Sequence, residues 1–228
     1  MVELFQITGS SSFAVRCALE EIGEPYRVVD VLPFDRDATP ALGAANPWRR
    51  VPTLVDGDAE VYEIGACLLY LAERFPDAGL QPPVGDPSRG AYLRWLVWLS
   101  DTFRPLWEQI MAPGFFTTGD TSGVRAKGLE VLARIGEVLE EELSGRTWCL
   151  GDRYTVADIY LYMLAGWRHY GPGLRLGGDA VDAHYARVGA RPAIARAREL
   201  DDLDERLLRH HPDLRGGVPV EAPRIDLG

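Results

Sequence analysis

The sequence predicts a two-part molecule, an α/β unit on a mixed four-stranded sheet followed by an all-α helical bundle. Three observations carry that expectation. Strand-like and helix-like patterns follow the order β-α-β-α-β-β-α over residues 1–78. A Pro-, Gly- and Asp-rich stretch, "FPDAGLQPPVGDPSRG", then interrupts the regularity. Beyond it no strand-like stretch of comparable quality appears. The expected bounds are 1–78 for the α/β unit, 79–88 for a linker, 89–211 for the helical unit and 212–228 for a loosely held tail.

Each element has a local reason. "VELFQIT" is a short β-rich run that "GSSS" ends, and Val15, Ala18, Leu19 and Ile22 then fall at helical spacing as far as Gly23. Ser12 is the candidate N-cap of that helix. "YRVVDVL" is β-branched and reads as a strand. Thr39 and Pro40 suit the cap and first position of a short helix. "VPTLVDGDAEVYE" reads as a hairpin turning at Asp56-Gly57-Asp58, followed by a helix with Ile64, Cys67, Leu68 and Leu71 on one face. In the second unit, Ser88 could cap a helix containing Leu93, Leu96, Val97 and two tryptophans. Ser122 could cap another, with Leu129, Leu132, Ile135, Leu139 and Leu143 as its stripe. Thr155 and Asp158 have the spacing of a capping box ahead of an apolar helix, and Pro192 opens a last, mostly charged one.

Composition narrows the function classes. A chain of 228 residues that is 46% hydrophobic and 25% charged can bury a sizeable core. Its formal net charge of −10 disfavours nucleic acid and anionic membrane surfaces as partners. No apolar run is long enough to span a bilayer, and no export signal is evident, so a cytoplasmic protein is expected. Cys17, Cys67 and Cys149 are odd in number and widely spaced, as reduced, buried thiols would be. His210, His211 and Asp213 lack a convincing ligand spacing, and no metal is expected.

Three stretches in fixed order, "NPWRRVPTL", "YEIGACLLYLAERFP" and "WCLGDRYTVADIYL", make the chain resemble the cytosolic glutathione transferase superfamily, with theta-, beta- and zeta-like features. The resemblance covers nearly the whole chain apart from the tail. It implies a thioredoxin-like first domain, glutathione as cofactor, a small hydrophobic electrophile as second substrate, and a homodimer.

It also implies roles for particular residues. A cis Val51-Pro52 bond would leave the Val51 backbone as an edge for the cysteinyl part of glutathione. Glu63, at a helix start, would meet the γ-glutamyl ammonium, while the free N–H groups there suit a carboxylate. The family pattern places a serine next, and Ile64 stands in its place. One lost hydrogen bond to a charged group is worth about 1.5–3 kcal/mol, so weakened rather than abolished glutathione binding follows. Arg49 or Arg50 would reach the glycine carboxylate. Ser11, then Ser10, then Ser12 are the candidates for holding the thiolate, because the theta-like serine position falls on Gly9.

The second-substrate pocket would be lined by Trp98, Phe103, Trp107 and Phe115, in a region also holding Trp95 and Phe116. Asp101 reads as solvated, and Arg104 stands where some beta-like members carry histidine. Two alternatives stay open: a non-catalytic binder of a hydrophobic ligand or protein partner, and a glutathione-independent enzyme of specialised metabolism.

Overall fold

The computed structural model describes residues 1–32, 39–167 and 176–201. The first unit contains β1 (Val2–Gln6), α1 (Ser12–Ile22), β2 (Tyr26–Asp30), α2 (Pro40–Ala45), β3 (Thr53–Asp56), β4 (Ala59–Tyr62) and α3 (Ile64–Arg74). The sheet runs β2-β1-β3-β4, with β1 parallel to β2 and the other two pairs antiparallel. The parallel pair needs a crossover, which α1 provides; the antiparallel pair β3–β4 closes through Gly57-Asp58. Gly57 has φ of 62°, the left-handed region that such a two-residue turn requires.

The two faces of the sheet are unequal. On one side, among the described residues, α2 packs and gives a small core of Phe5, Val31 and Leu42. On the other side α1 and α3 lie together, and their outer surfaces continue into the helical unit. Ala14, Cys17, Ala18, Leu68 and Leu71 are all buried in that shared core.

The second unit contains α4 (Arg89–Trp98), a π-helical turn (Leu99–Phe103), α5 (Arg104–Met111), α6 (Ser122–Leu143), α7 (Val156–Gly166), α8 (Asp179–Gly189) and α9 (Pro192–Leu200). The π turn has a sequence cause. Pro105 lacks an N–H, and its ring would strike the carbonyl four residues back in a regular α-helix. The Arg104 N–H instead reaches the Leu99 carbonyl, five residues back, so one extra residue relieves the clash. Helix α7 sits at the centre and is buried from Val156 to Ala165. A helix apolar on every side belongs inside a bundle.

The predicted capping box is present. The Thr155 hydroxyl accepts from Ala157 N at 3.3 Å, and Asp158 Oδ2 accepts from Thr155 N at 2.8 Å. Asp158 Oδ1 also accepts from Cys149 N at 2.7 Å and pairs with His184 Nε2 at 2.9 Å, which ties α7 to α8 and the preceding loop.

The other serine caps are corrected. Ser88 donates its hydroxyl to Asp86 Oδ1 at 2.6 Å, Ser122 bonds Asp120, and neither caps a helix. In both cases a nearby aspartate outcompetes the helix N–H groups for the hydroxyl. Thr39 precedes α2 without a side-chain cap. Leu93 and Val97, expected as part of an apolar pattern on α4, are exposed, whereas Trp95 and Leu96 are buried. Helix α8 was not predicted, although Val181, His184 and Val188 give it a short buried stripe. His210, His211, Asp213 and the expected tail lie outside the described residues. Among the described residues no helix is long and apolar enough to cross a membrane.

Candidate functional site

A cleft of about 160 Å³ opens between the two units. One wall is Ser11, Asn46, Arg50, Val51, Pro52, Glu63 and Ile64; the other is Ser100, Arg104, Pro105, Glu108 and Tyr160. Ser11 is thus brought together with Arg50, Val51, Pro52, Glu63 and Ile64, from the start of α1, the loop before β3 and the start of α3.

The loop before β3 is built around a buried amide. Asn46 Nδ2 donates to the Arg50 carbonyl at 3.1 Å and to Thr53 Oγ1 at 3.0 Å, and its Oδ1 accepts from Trp48 N at 2.9 Å. Thr53 Oγ1 donates to the Arg50 carbonyl at 2.8 Å. These bonds fix the chain on both sides of Val51-Pro52, which is cis. Asn46 was not singled out from sequence; its only signal there is the Asn46-Pro47 turn.

The three serines divide. Ser11, at the start of α1, is 6% exposed and donates its hydroxyl to the Val51 carbonyl at 3.1 Å. Ser10 and Ser12 bond each other at 2.8 Å, and Ser12 donates to the Ile7 carbonyl at 2.9 Å. Neither lines the cleft. Ser12 is therefore not the helix cap but a tie back to the end of β1. Gly9 has φ of 71° and its N–H is held by Asp201 Oδ2 at 3.0 Å, so a glycine there answers a backbone need.

Glu63 has φ of 72° as the chain turns from β4 into α3, an unusual conformation for a side chain with a Cβ. It is exposed, and its carboxylate makes no hydrogen bond or ion pair among the described residues. Ile64 is 6% exposed, packed into the core while still edging the cleft. The first α3 residue whose N–H finds a carbonyl in this turn is Cys67, bonded to Glu63 O at 2.9 Å. The preceding N–H groups face the helix start.

Arg50 and Arg104 come from opposite walls and meet Glu108. Its Oε1 lies 2.8 Å from Arg104 and 3.8 Å from Arg50. Arg49, with φ of 48°, instead lays its guanidinium over Gly43, where a Cβ would lie 2.8 Å from Arg49 Cζ. Arg49 is not among the cleft-lining residues.

The expected aromatic wall is corrected. Phe103 and Trp107 are fully buried in the helical core, Trp98 is half-buried and Phe115 is half-exposed; none lines the cleft. They form a ring-on-ring chain, Trp98–Phe103–Trp107, with centroids 6.0 and 6.3 Å apart. Packing explains their periodicity. Asp101 is exposed, as expected.

The cysteines are free and buried. Burial drives the thiol pKa values of Cys17, Cys67 and Cys149 up, so none is poised as a thiolate. Cys149, Asp158 and His184 converge within 4.8 Å, but the Asp158 oxygens are already occupied by the hydrogen bonds that hold α7. A larger open hollow near Asp86, Leu150 and Arg153 is spanned by the Asp86–Arg153 ion pair at 2.9 Å and contains none of the candidate residues.

Fold and cleft together define a two-domain protein in which a thioredoxin-like unit and a helical unit share one site. Residues 10–74 match the family model "Glutathione S-transferase, N-terminal domain", and residues 106–192 match "Glutathione S-transferase, C-terminal domain". The chain is 29% identical over 210 residues to glutathione S-transferase GstA of Escherichia coli O157:H7, covering 89% of this chain and all of that protein. Its structure matches a sphingomonad glutathione S-transferase complexed with glutathione, with a TM-score of 0.76 at 30% identity over 88% of this chain and 99% of the other. A glutathione transferase homologue from Sulfitobacter with bound glutathione matches with a TM-score of 0.77 at 26% identity, over 89% and 99%. The chain belongs to the cytosolic glutathione transferase superfamily.

Proposed function

We propose that the protein is a glutathione-dependent transferase that adds the thiol to a hydrophobic electrophile. The observation that carries this reading is the convergence of Ser11, Val51, Glu63 and the start of α3 on one cleft. These groups match the parts of a γ-glutamyl-cysteinyl-glycine ligand one by one. The Val51 backbone offers a donor and an acceptor to the cysteinyl residue. The Glu63 carboxylate meets the γ-glutamyl ammonium, and the α3 N-terminus meets the adjoining carboxylate. Arg50, exposed and only loosely held by Glu108, is free to turn toward the glycine carboxylate.

Ser11 is the residue beside the thiol. Its hydroxyl bonds the Val51 carbonyl in the structure and, turned from that carbonyl, would donate to the sulfur of a cysteinyl residue paired with the Val51 backbone. A hydroxyl donor and the positive end of α1 both favour thiolate over thiol. The thiol proton leaves to solvent. The sulfur lone pair then attacks the electrophilic carbon, a C–S bond forms, and a leaving group such as halide departs with its electron pair.

Residues 1–78 would be the glutathione-binding domain and 89–211 the helical one, joined by 79–88 and followed by a tail from 212. The helical side of the cleft would admit the electrophile, and the protein would act as a cytoplasmic homodimer.

The test is glutathione titration followed by a conjugation assay with an activated aryl halide. Binding at or below millimolar glutathione is expected. Ser11→Ala should lower the conjugation rate about 10²-fold, as loss of a donor to a developing anion does, while Ser12→Ala should act through stability instead. Absence of binding at millimolar glutathione would overturn the reading.

A further inference from the structure

The cleft contains a hydroxyl that Glu63 and Ile64 do not supply. Ser100 lies in the π turn, on the helical side, and its Oγ rests directly on the first turn of α3. A Cβ built on Gly65 would stand only 2.5 Å from that oxygen, so the hydroxyl can occupy this place only because residue 65 is glycine. Ser100 is half-buried and shares the cleft wall with Glu63, Ile64 and Tyr160. Tyr160, a residue 1% exposed, lies on the same wall.

We infer that Ser100 supplies, from the helical unit, the hydroxyl that Ile64 lacks, and that it holds the γ-glutamyl carboxylate of glutathione against the start of α3. The inference rests on the glutathione reading above and adds a ligand-contacting residue to it. A carboxylate at a helix start is attracted by the free N–H groups but still has lone pairs to satisfy. Ile64 offers only its backbone, and the Ser100 hydroxyl stands over the same turn. Tyr160, beside it on the cleft wall, keeps its proton at neutral pH because burial raises its pKa to about 12, so it sets no negative charge against the carboxylate.

The experiment measures affinity for S-methylglutathione and for its 4-aminobutyryl analogue, which lacks only the γ-glutamyl carboxylate. Ser100→Ala should weaken S-methylglutathione binding about tenfold to a hundredfold and leave the analogue's affinity unchanged. Gly65→Ala should reproduce the loss, because its methyl evicts the hydroxyl, and the double variant should lose no more than either single one. Equal losses for both ligands would mean a merely structural role and would overturn the inference. So would a Ser100→Ala protein that binds S-methylglutathione like the wild type, an outcome that leaves the glutathione reading intact. A wild-type protein that binds neither ligand sinks the parent reading and this one with it.

Discussion

Ile64 is the residue where local chemistry and packing disagree with the family pattern, and packing has the larger share. Its side chain is almost wholly inside the core, so Ile64→Ser would remove a buried aliphatic group and insert a hydroxyl among apolar neighbours. We expect a stability loss of about 3 kcal/mol, read as a lowered urea midpoint, even where glutathione affinity rises. A loss below about 1 kcal/mol would contradict the packing at the start of α3. The cysteines give a second test at this scale. An aromatic disulfide reagent at pH 8 should label none of the three rapidly in the native protein and all three after denaturation. Fast labelling of Cys17, Cys67 or Cys149 would contradict their burial. The sequence made Val51, Pro52 and Glu63 legible because each sits in a motif with a backbone reason. It hid Asn46, Ser100, Glu108 and Tyr160, because a half-buried polar residue on a helix or in a loop has no periodic signature of its own.

At the scale of elements, the strands and most helices were readable because burial imposes strict periods on them. Helix caps were not, since hydroxyl residues find nearer partners, as Ser88 does with Asp86 and Ser12 does with Ile7. The Thr155–Asp158 pair is the exception, and the reason is its isolation in the interior. One carboxylate there accepts from two backbone N–H groups and pairs with His184. Asp158→Ala leaves all of those donors buried and unmatched, so a loss of about 3 kcal/mol or more is expected in denaturant unfolding. A loss under about 1 kcal/mol would show that water or a rearranged loop replaces the carboxylate. Helix α8 escaped notice because its apolar stripe is only three residues long and includes a histidine.

For the whole molecule, α1 is the shared part. It packs on α3 within its own unit and on α7 and α9 of the other, so neither unit has a closed core alone. Polar ties reinforce the joint: Arg191 meets Glu21 with bonds of 2.5 and 2.9 Å, and Tyr154 donates to the same Glu21 at 3.2 Å. Cleft geometry is therefore set by how the helical unit is phased against the sheet unit, and the π turn sets that phase. The extra residue before Pro105 is taken up in a widened turn, which lets α4 run on into α5 past a proline that a regular helix would not accept. Deleting Asp101 removes the residue that relieves the Pro105 clash, so the helix must kink where α4 meets α5 and carry Arg104 and Glu108 off the cleft. Glutathione affinity and conjugation should then collapse while far-UV helicity holds; unchanged affinity would show that the cleft does not depend on that phase. One inserted residue acts here as an indexing notch, deciding which side chains of a long helix look into the site.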